Sequence, residues 1–290
     1  FEGQSMNSYY SNLVGKFLDE PTNTIIGALT TGASKAGFYQ QQHTQTDAWQ
    51  LEINQLKQTL AQIPESEHWY ILLEYSIPRR AKRVDTIILT NNLIFVIEFK
   101  VGSKSFLQSD IAQVEDYALD LRDFHLQSRI NPLIPILVST DKAEIDIKRK
   151  FYTDEFQVKQ TVLTNSRFLG QEILYAIKTY GDPFLPTIDY LDWENSDYKP
   201  TPTIIEAAQV LYAGKSVEEI SRSHAGVENL TTTTKAVINA VNSAKTNSSK
   251  LICFITGVPG AGKTLAGLNI VHNDALHESD LGVFLSGNGP

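Results

Sequence analysis

Arg83-Val84-Asp85-Thr86-Ile87-Ile88-Leu89-Thr90-Asn91-Asn92-Leu93-Ile94-Phe95-Val96-Ile97-Glu98-Phe99-Lys100 is the stretch on which the fold turns. Two strand-like runs flank Asn91-Asn92, and asparagine tolerates the positive φ that a two-residue hairpin turn uses. With those two residues as the loop, Thr90 pairs with Leu93, and the same register carried back sets Asp85 opposite Glu98. Opposed β-carbons lie about 4.5–5.5 Å apart, where like charges destabilise a sheet. Glu98 and Lys100 also share a strand face with Ile94 and Val96, so charge interrupts a face that otherwise reads as buried. Buried charge is strongly unfavourable unless it is paired or coordinates a metal. Opposed carboxylates suit a hard divalent cation, and a lysine beside them can orient water or offset phosphate charge. Taken alone, the pattern also fits a simple Lys100 ion pair with the acids on an exposed edge.

Working outward, Trp49, Ile53, Leu56 and Leu60 recur at steps of four, three and four, marking one face of a helix that Pro64 closes. Runs 69–77, 84–90 and 93–101 read as strands, 109–126 as a helix, 133–139 as a buried strand, 161–164 as a short strand and 170–179 as a helix. The order predicts an α/β unit, a mixed sheet flanked by helices. Gln113 and Tyr117 lie four apart on one helix face, close enough after the hairpin to pack against it. Residues 1–46 are polar, with apolar patches at 13–18 and 24–29, and read as an extension of short helices or loops. The five residues FEGQS before Met6 read as a cloning scar.

Asp85, Glu98-x-Lys100 and Gln113-x-x-x-Tyr117 together resemble the PD-(D/E)XK nuclease superfamily, in the branch with a Q-x-x-x-Y helix. Val84 stands where the family name has proline. The resemblance covers about residues 45 to 180 and implies a Mg2+ (or Mn2+) ion held by Asp85, Glu98 and the Phe99 carbonyl, with Lys100 positioning water. It implies a further acid from the helix before the sheet, for which Glu52 is the choice and Glu74 the alternative. Gln113 and Tyr117 would contact the nucleic-acid backbone or brace the site. The basic cluster Arg79, Arg80, Lys82 and Arg83 fits a solvated face or, at the edge of the site, phosphate contacts.

Residues 183–202 close the nuclease-like unit, 47–182: the surrounding stretch 181–202 carries four prolines and several acids without periodicity and reads as a linker. Beyond it, 203–212, 217–222 and 227–244 read as helices, and 251–256 as a strand with Cys253 packed in it. Gly257-Val258-Pro259-Gly260-Ala261-Gly262-Lys263-Thr264 then fits G-x-x-x-x-G-K-[ST] in full, followed by the helical run 265–272. Glycines let backbone N–H groups turn inward on phosphates; Lys263 would reach the β/γ-phosphates of ATP and Thr264 would hold Mg2+. The residues after Thr264 hold only one more strand-like run, 282–285, and no strand-end acid. The expectation is therefore an unfinished P-loop NTPase α/β domain over 203–290, binding nucleotide without turning it over.

Composition narrows the rest. One cysteine excludes a disulfide scaffold or a cysteine-rich zinc site, and six scattered histidines show no metal-ligand spacing. No apolar run approaches the roughly 20 residues that span a bilayer, and no signal-peptide pattern opens the chain, so a cytoplasmic protein is expected. A net charge of −8 argues against a chain basic all over but leaves a local phosphate-binding cleft open. The combination resembles bacterial fusions of a PD-(D/E)XK nuclease with a Schlafen-related, helicase-like P-loop NTPase. That resemblance implies nucleic-acid processing coupled to ATP in a longer parent, DNA favoured over RNA, plausibly in defence against foreign nucleic acid. It is compatible with a homo-oligomer. The alternative is a nucleotide-gated nucleic-acid-binding module that does not cleave.

Overall fold

The computed structural model describes residues 7–36, 42–77, 82–144, 157–197, 224–256 and 263–271. The chain divides into two compact units, Phe1–Tyr198 and Lys199–Pro290. The first is built on a six-stranded open sheet in sequential order: β1 (Tyr10–Leu13), β2 (Tyr70–Ile77), β3 (Lys82–Leu89), β4 (Ile94–Lys100), β5 (Leu133–Ser139) and β6 (Val162–Thr164). The pairs from β1 to β4 are antiparallel, and β4–β5 and β5–β6 are parallel. One face carries α1 (Val14–Asp19), α2 (Thr22–Lys35), α3 (Gln42–Leu60) and α5 (Leu169–Tyr180). The other carries α4 (Gln108–Phe124) and α6 (Tyr190–Glu194). Strand β4 is therefore buried on both faces, which is why its apolar run is nearly continuous.

The hairpin register is the expected one, with Leu89 opposite Ile94 and Thr86 opposite Ile97. Its turn is not built as expected, because neither Asn91 nor Asn92 has positive φ. Tertiary bonds shape it instead. Thr90 Oγ1 accepts from the Leu93 amide at 3.1 Å, the Asn91 carbonyl accepts from Ile188 N at 2.8 Å, and Asn92 Nδ2 donates to the Asp182 carbonyl at 2.6 Å.

Two expected boundaries move. The presumed N-terminal extension is part of the unit: β1 pairs with β2, and Phe17, Ile25 and Leu29 are core residues. Four residues without alternation carry no strand signal of their own, so β1 exists only because β2 offers an edge. The presumed linker also docks. Trp193 of α6 is fully buried, its Nε1 donating to Ser128 Oγ at 3.0 Å. Glu194 accepts from Ser8 Oγ at 2.8 Å and Tyr70 Oη at 2.9 Å. Prolines erased the periodicity there, but one tryptophan supplies the anchor.

In the second unit, α7 (His224–Thr246) packs against α8 (Lys263–Val271), and Asn269 Nδ2 donates to Thr234 Oγ1 at 3.1 Å. Residues 251–256 form no strand, and Cys253, expected in a core, is exposed. Phe254 is 87% exposed. Among the described residues no strand pairs with this stretch, and an unpaired strand has no ladder to hold it. The predicted helices 203–212 and 217–222 lie outside the described residues.

Candidate functional site

Where β3 parts from β4, a cleft of about 590 Å³ opens, lined by Glu52, Glu74, Asp85, Glu98, Lys100 and Asp110 among others. Five of these six are carboxylates, drawn from α3, β2, β3, β4 and α4. The hairpin ladder ends at Thr86–Ile97, so Asp85 and Glu98 do not form the ladder pair that register alone predicts. Asp85 Oδ2 instead accepts from the Phe99 amide at 2.8 Å, while Glu98, Phe99 and Lys100 stay paired with β5. The strands splay at the acids and leave the cleft between them.

Glu98 is the centre of the polar network. Its Oε1 accepts from Lys100 Nζ at 2.9 Å and from Gln113 Nε2 at 2.7 Å. Gln113 Oε1 in turn accepts from Lys100 Nζ at 3.1 Å, and Gln113 Nε2 donates to Tyr117 Oη at 2.8 Å. Lys100 Nζ lies 4.0 Å from Asp110 Oδ1. The Oε2 of Glu98 is buried without a hydrogen-bond partner among the described residues. Leaving a buried acceptor unmade costs about 1–3 kcal/mol, and more for a charged one. Of the two roles expected for Gln113 and Tyr117, these hydrogen bonds are the contacts that bracing Glu98 and Lys100 requires.

The electrostatics follow from crowding. Burial raises the Asp85 carboxyl well above its ordinary range, and Glu98, Glu52 and Glu74 add to the rise. Burial also raises Glu98, with Lys100 opposing. Glu52 is pushed up to about 8 by burial and then by Glu74 and Glu98. For Lys100, burial disfavours the ammonium, but Glu98, Asp85 and Asp110 outweigh it and raise its pKa. Tyr117 is pushed up to about 12, by burial first and Glu98 second.

Both candidates for the further acid line the cleft, but they are not equivalent. Glu74 accepts from Trp49 Nε1 at 2.7 Å and Arg83 Nε at 2.5 Å, one on each oxygen. No described residue makes a hydrogen bond to Glu52. Glu74 also has φ +52°, a left-handed conformation that costs a non-glycine residue roughly 1–3 kcal/mol. Arg83, expected among the phosphate contacts, donates its Nε–H to Glu74. Arg79 and Arg80 lie outside the described residues, and Lys82 opens β3.

Sequence reasoning missed two features. Trp49 was read only as a core residue, although a buried indole N–H usually needs an acceptor. Asp110 was not singled out; its position in the first turn of α4 was the available signal. In the second unit, Lys263 and Thr264 are the first two residues of α8, so a helix does follow the glycine-rich motif. Gly257, Gly260, Ala261 and Gly262 lie outside the described residues.

Among the described residues no group of three or more His, Cys, Asp or Glu side chains is gathered closely enough to hold a metal ion. The donor chemistry nonetheless fits a hard cation: Asp85, an unpartnered Glu98 oxygen and Phe99 line one cleft. Mg2+ commonly takes only one or two protein carboxylates and keeps several waters. No helix among the described residues is long and apolar enough to cross a membrane. Fold and site thus define an α/β protein with a six-stranded mixed open sheet and an acidic cleft. Comparisons of the chain with protein-family profiles, curated proteins and solved structures found no match.

Proposed function

We propose that the cleft is the active site of a metal-dependent nuclease of the PD-(D/E)XK type, cleaving phosphodiester bonds in nucleic acid, with DNA favoured over RNA. The observation that carries this reading is Glu98. Two donors crowd one carboxylate oxygen, and the other is buried, unpartnered and beside Asp85. Asp85, Glu98 and the Phe99 carbonyl would hold Mg2+ or Mn2+. Such an ion, when bound, supplies positive charge against the developing phosphorane charge and acidifies water.

The chain's own residues do the remainder. Lys100, held by Glu98 and Gln113, presents a fixed ammonium to the attacking water or to a phosphate oxygen. Tyr117 fixes Gln113 and so the lysine behind it. Glu52 would be the further acid of the site, lining the same cleft as Asp85 and Glu98. Arg79, Arg80, Lys82 and Arg83 would supply the phosphate track. We further propose that the motif from Gly257 to Thr264 binds ATP and couples it to nucleic-acid processing, in the manner of the nuclease–NTPase fusions the sequence resembles.

The test is incubation with single- and double-stranded DNA and RNA in Mg2+, Mn2+ or EDTA. Metal-dependent cleavage that falls by about 100-fold or more in Asp85→Ala and Lys100→Ala is expected. Binding without cleavage in the unaltered chain would assign the fold to a clamp instead.

A further inference from the structure

Glu74 sits at an irregularity shared by two strands. Leu73–Thr86 and Tyr75–Val84 are ladder pairs in one unbroken register, yet Glu74 and Asp85 between them are not paired. The side-chain alternation slips at the same place. Leu73 packs in the core on the α3 side and Tyr75 in the core on the α4 side, although two residues separate positions of like face in a regular strand. In β3, Val84 and Ile87 share the α4-side core although they are three apart. The left-handed φ of Glu74 is the local cause in β2.

What holds this irregularity is a chain of contacts. Trp49 of α3 donates to one Glu74 oxygen, and Arg83 of β3 donates to the other. The Arg83 guanidinium lies over the Tyr9 ring, 5.2 Å from its centroid. Gly32 of α2 lets that ring approach, since a β-carbon there would come within 2.5 Å of Tyr9 Cγ. Trp49 precedes Glu52 by three residues, on neighbouring helix positions, and Arg83 precedes Asp85 by two. One carboxylate therefore ties together the helix that carries Glu52 and the strand that carries Asp85.

We infer that Glu74 is a positioning residue, which sets Glu52 against Asp85 through Trp49 and Arg83 and is not itself a ligand or proton carrier. The inference rests on the reading of the cleft as a divalent-cation site. Each Glu74 oxygen already accepts one bond, from Trp49 or Arg83, and only 5% of the residue is exposed, so its carboxylate is held by these two partners.

The test is Mn2+ binding by calorimetry to the full 290-residue chain and to Trp49→Phe and Arg83→Gln, alongside Mg2+-dependent cleavage. Trp49→Phe changes no charge. Arg83→Gln removes a positive charge near the cleft, so electrostatics alone would tighten Mn2+ binding. Positioning predicts the opposite: Mn2+ affinity falls tenfold or more in both variants, and kcat falls further than KM rises. Unchanged or tighter Mn2+ binding in folded variants overturns the inference. So does a variant without native circular dichroism, which assigns the bonds to the fold alone. An unaltered chain that binds no Mn2+ also overturns it. A chain that binds Mn2+ without cleaving sinks only the nuclease reading, and the affinities of the variants still judge Glu74.

Discussion

Glu52 couples the cleft to pH. Its folded pKa, about 8, lies above the ordinary 4.5, so between those values the native state holds a proton that the unfolded chain has released. Stability is then greatest below the unfolded pKa and is lost as pH rises through the window. The melting temperature of the metal-free chain is expected to fall between pH 6.5 and about 8, above the range in which His125 titrates, and Glu52→Gln should flatten that slope. Thermal unfolding followed by circular dichroism checks it. An unchanged slope would place the effect on Asp85 and Glu98, whose carboxyls are also raised. The residues that make this site were partly legible in sequence: Glu98 and Lys100 stood out because they interrupt an apolar strand face. Asp85 was legible by register, but its bond to the Phe99 amide was not, since splaying strands leave no periodic trace.

Among the elements, α6 shows what periodicity hides. His125, at the end of α4, is fully buried. Its Nε2 lies 3.0 Å from the Trp193 carbonyl, which can only accept, so Nε2 carries the proton and Nδ1 accepts from Ser128 Oγ at 2.8 Å. Burial lowers its pKa to about 4, with the Trp193 bond opposing. A depressed histidine contributes stability present above the unfolded pKa of 6.5 and lost as pH falls toward 4, roughly 3 kcal/mol in all. His125→Gln should flatten this acid limb in urea-unfolding curves taken from pH 4 to 7. Between 4.5 and 6.5 the His125 and Glu52 effects oppose each other, so the single variants are needed to separate them. The hairpin carries the same lesson. Its register follows from the alternation of apolar residues, while its turn conformation follows from Ile188, Asp182 and Asn131, which a local reading of Asn91-Asn92 does not include.

For the whole molecule, the unit boundary is the practical consequence. A fragment cut at 47 and 182, the limits drawn from composition, lacks β1, α1, α2 and α6. It removes Phe17, Ile25, Leu29 and Trp193 from the two cores. Losing even one large core side chain destabilises by about 3–5 kcal/mol, a large share of a typical domain stability of about 5–15 kcal/mol. The shorter fragment is expected not to fold, and residues 7–197 are expected to melt cooperatively. Circular dichroism on the two fragments decides it; cooperative melting of 47–182 would contradict the assignment of the flanking segments to the core. The second unit repeats the point in reverse: 251–256 has the composition of a strand, but composition cannot provide the neighbour a strand requires.

The sequence by itself determined the strand and helix order from β2 to α5, the register of the central hairpin, and the shared face of Gln113 and Tyr117. These follow from the two-residue and 3.6-residue periods, which are local properties of the backbone. Tertiary structure decided that Glu74 is bound by Trp49 and Arg83 and that Trp193 closes the unit. Those outcomes depend on residues 25 apart in the Trp49–Glu74 bond and 186 apart in the Ser8–Glu194 bond. Contacts at such separation are set by how the elements pack, not by the spacing of residues along any one of them.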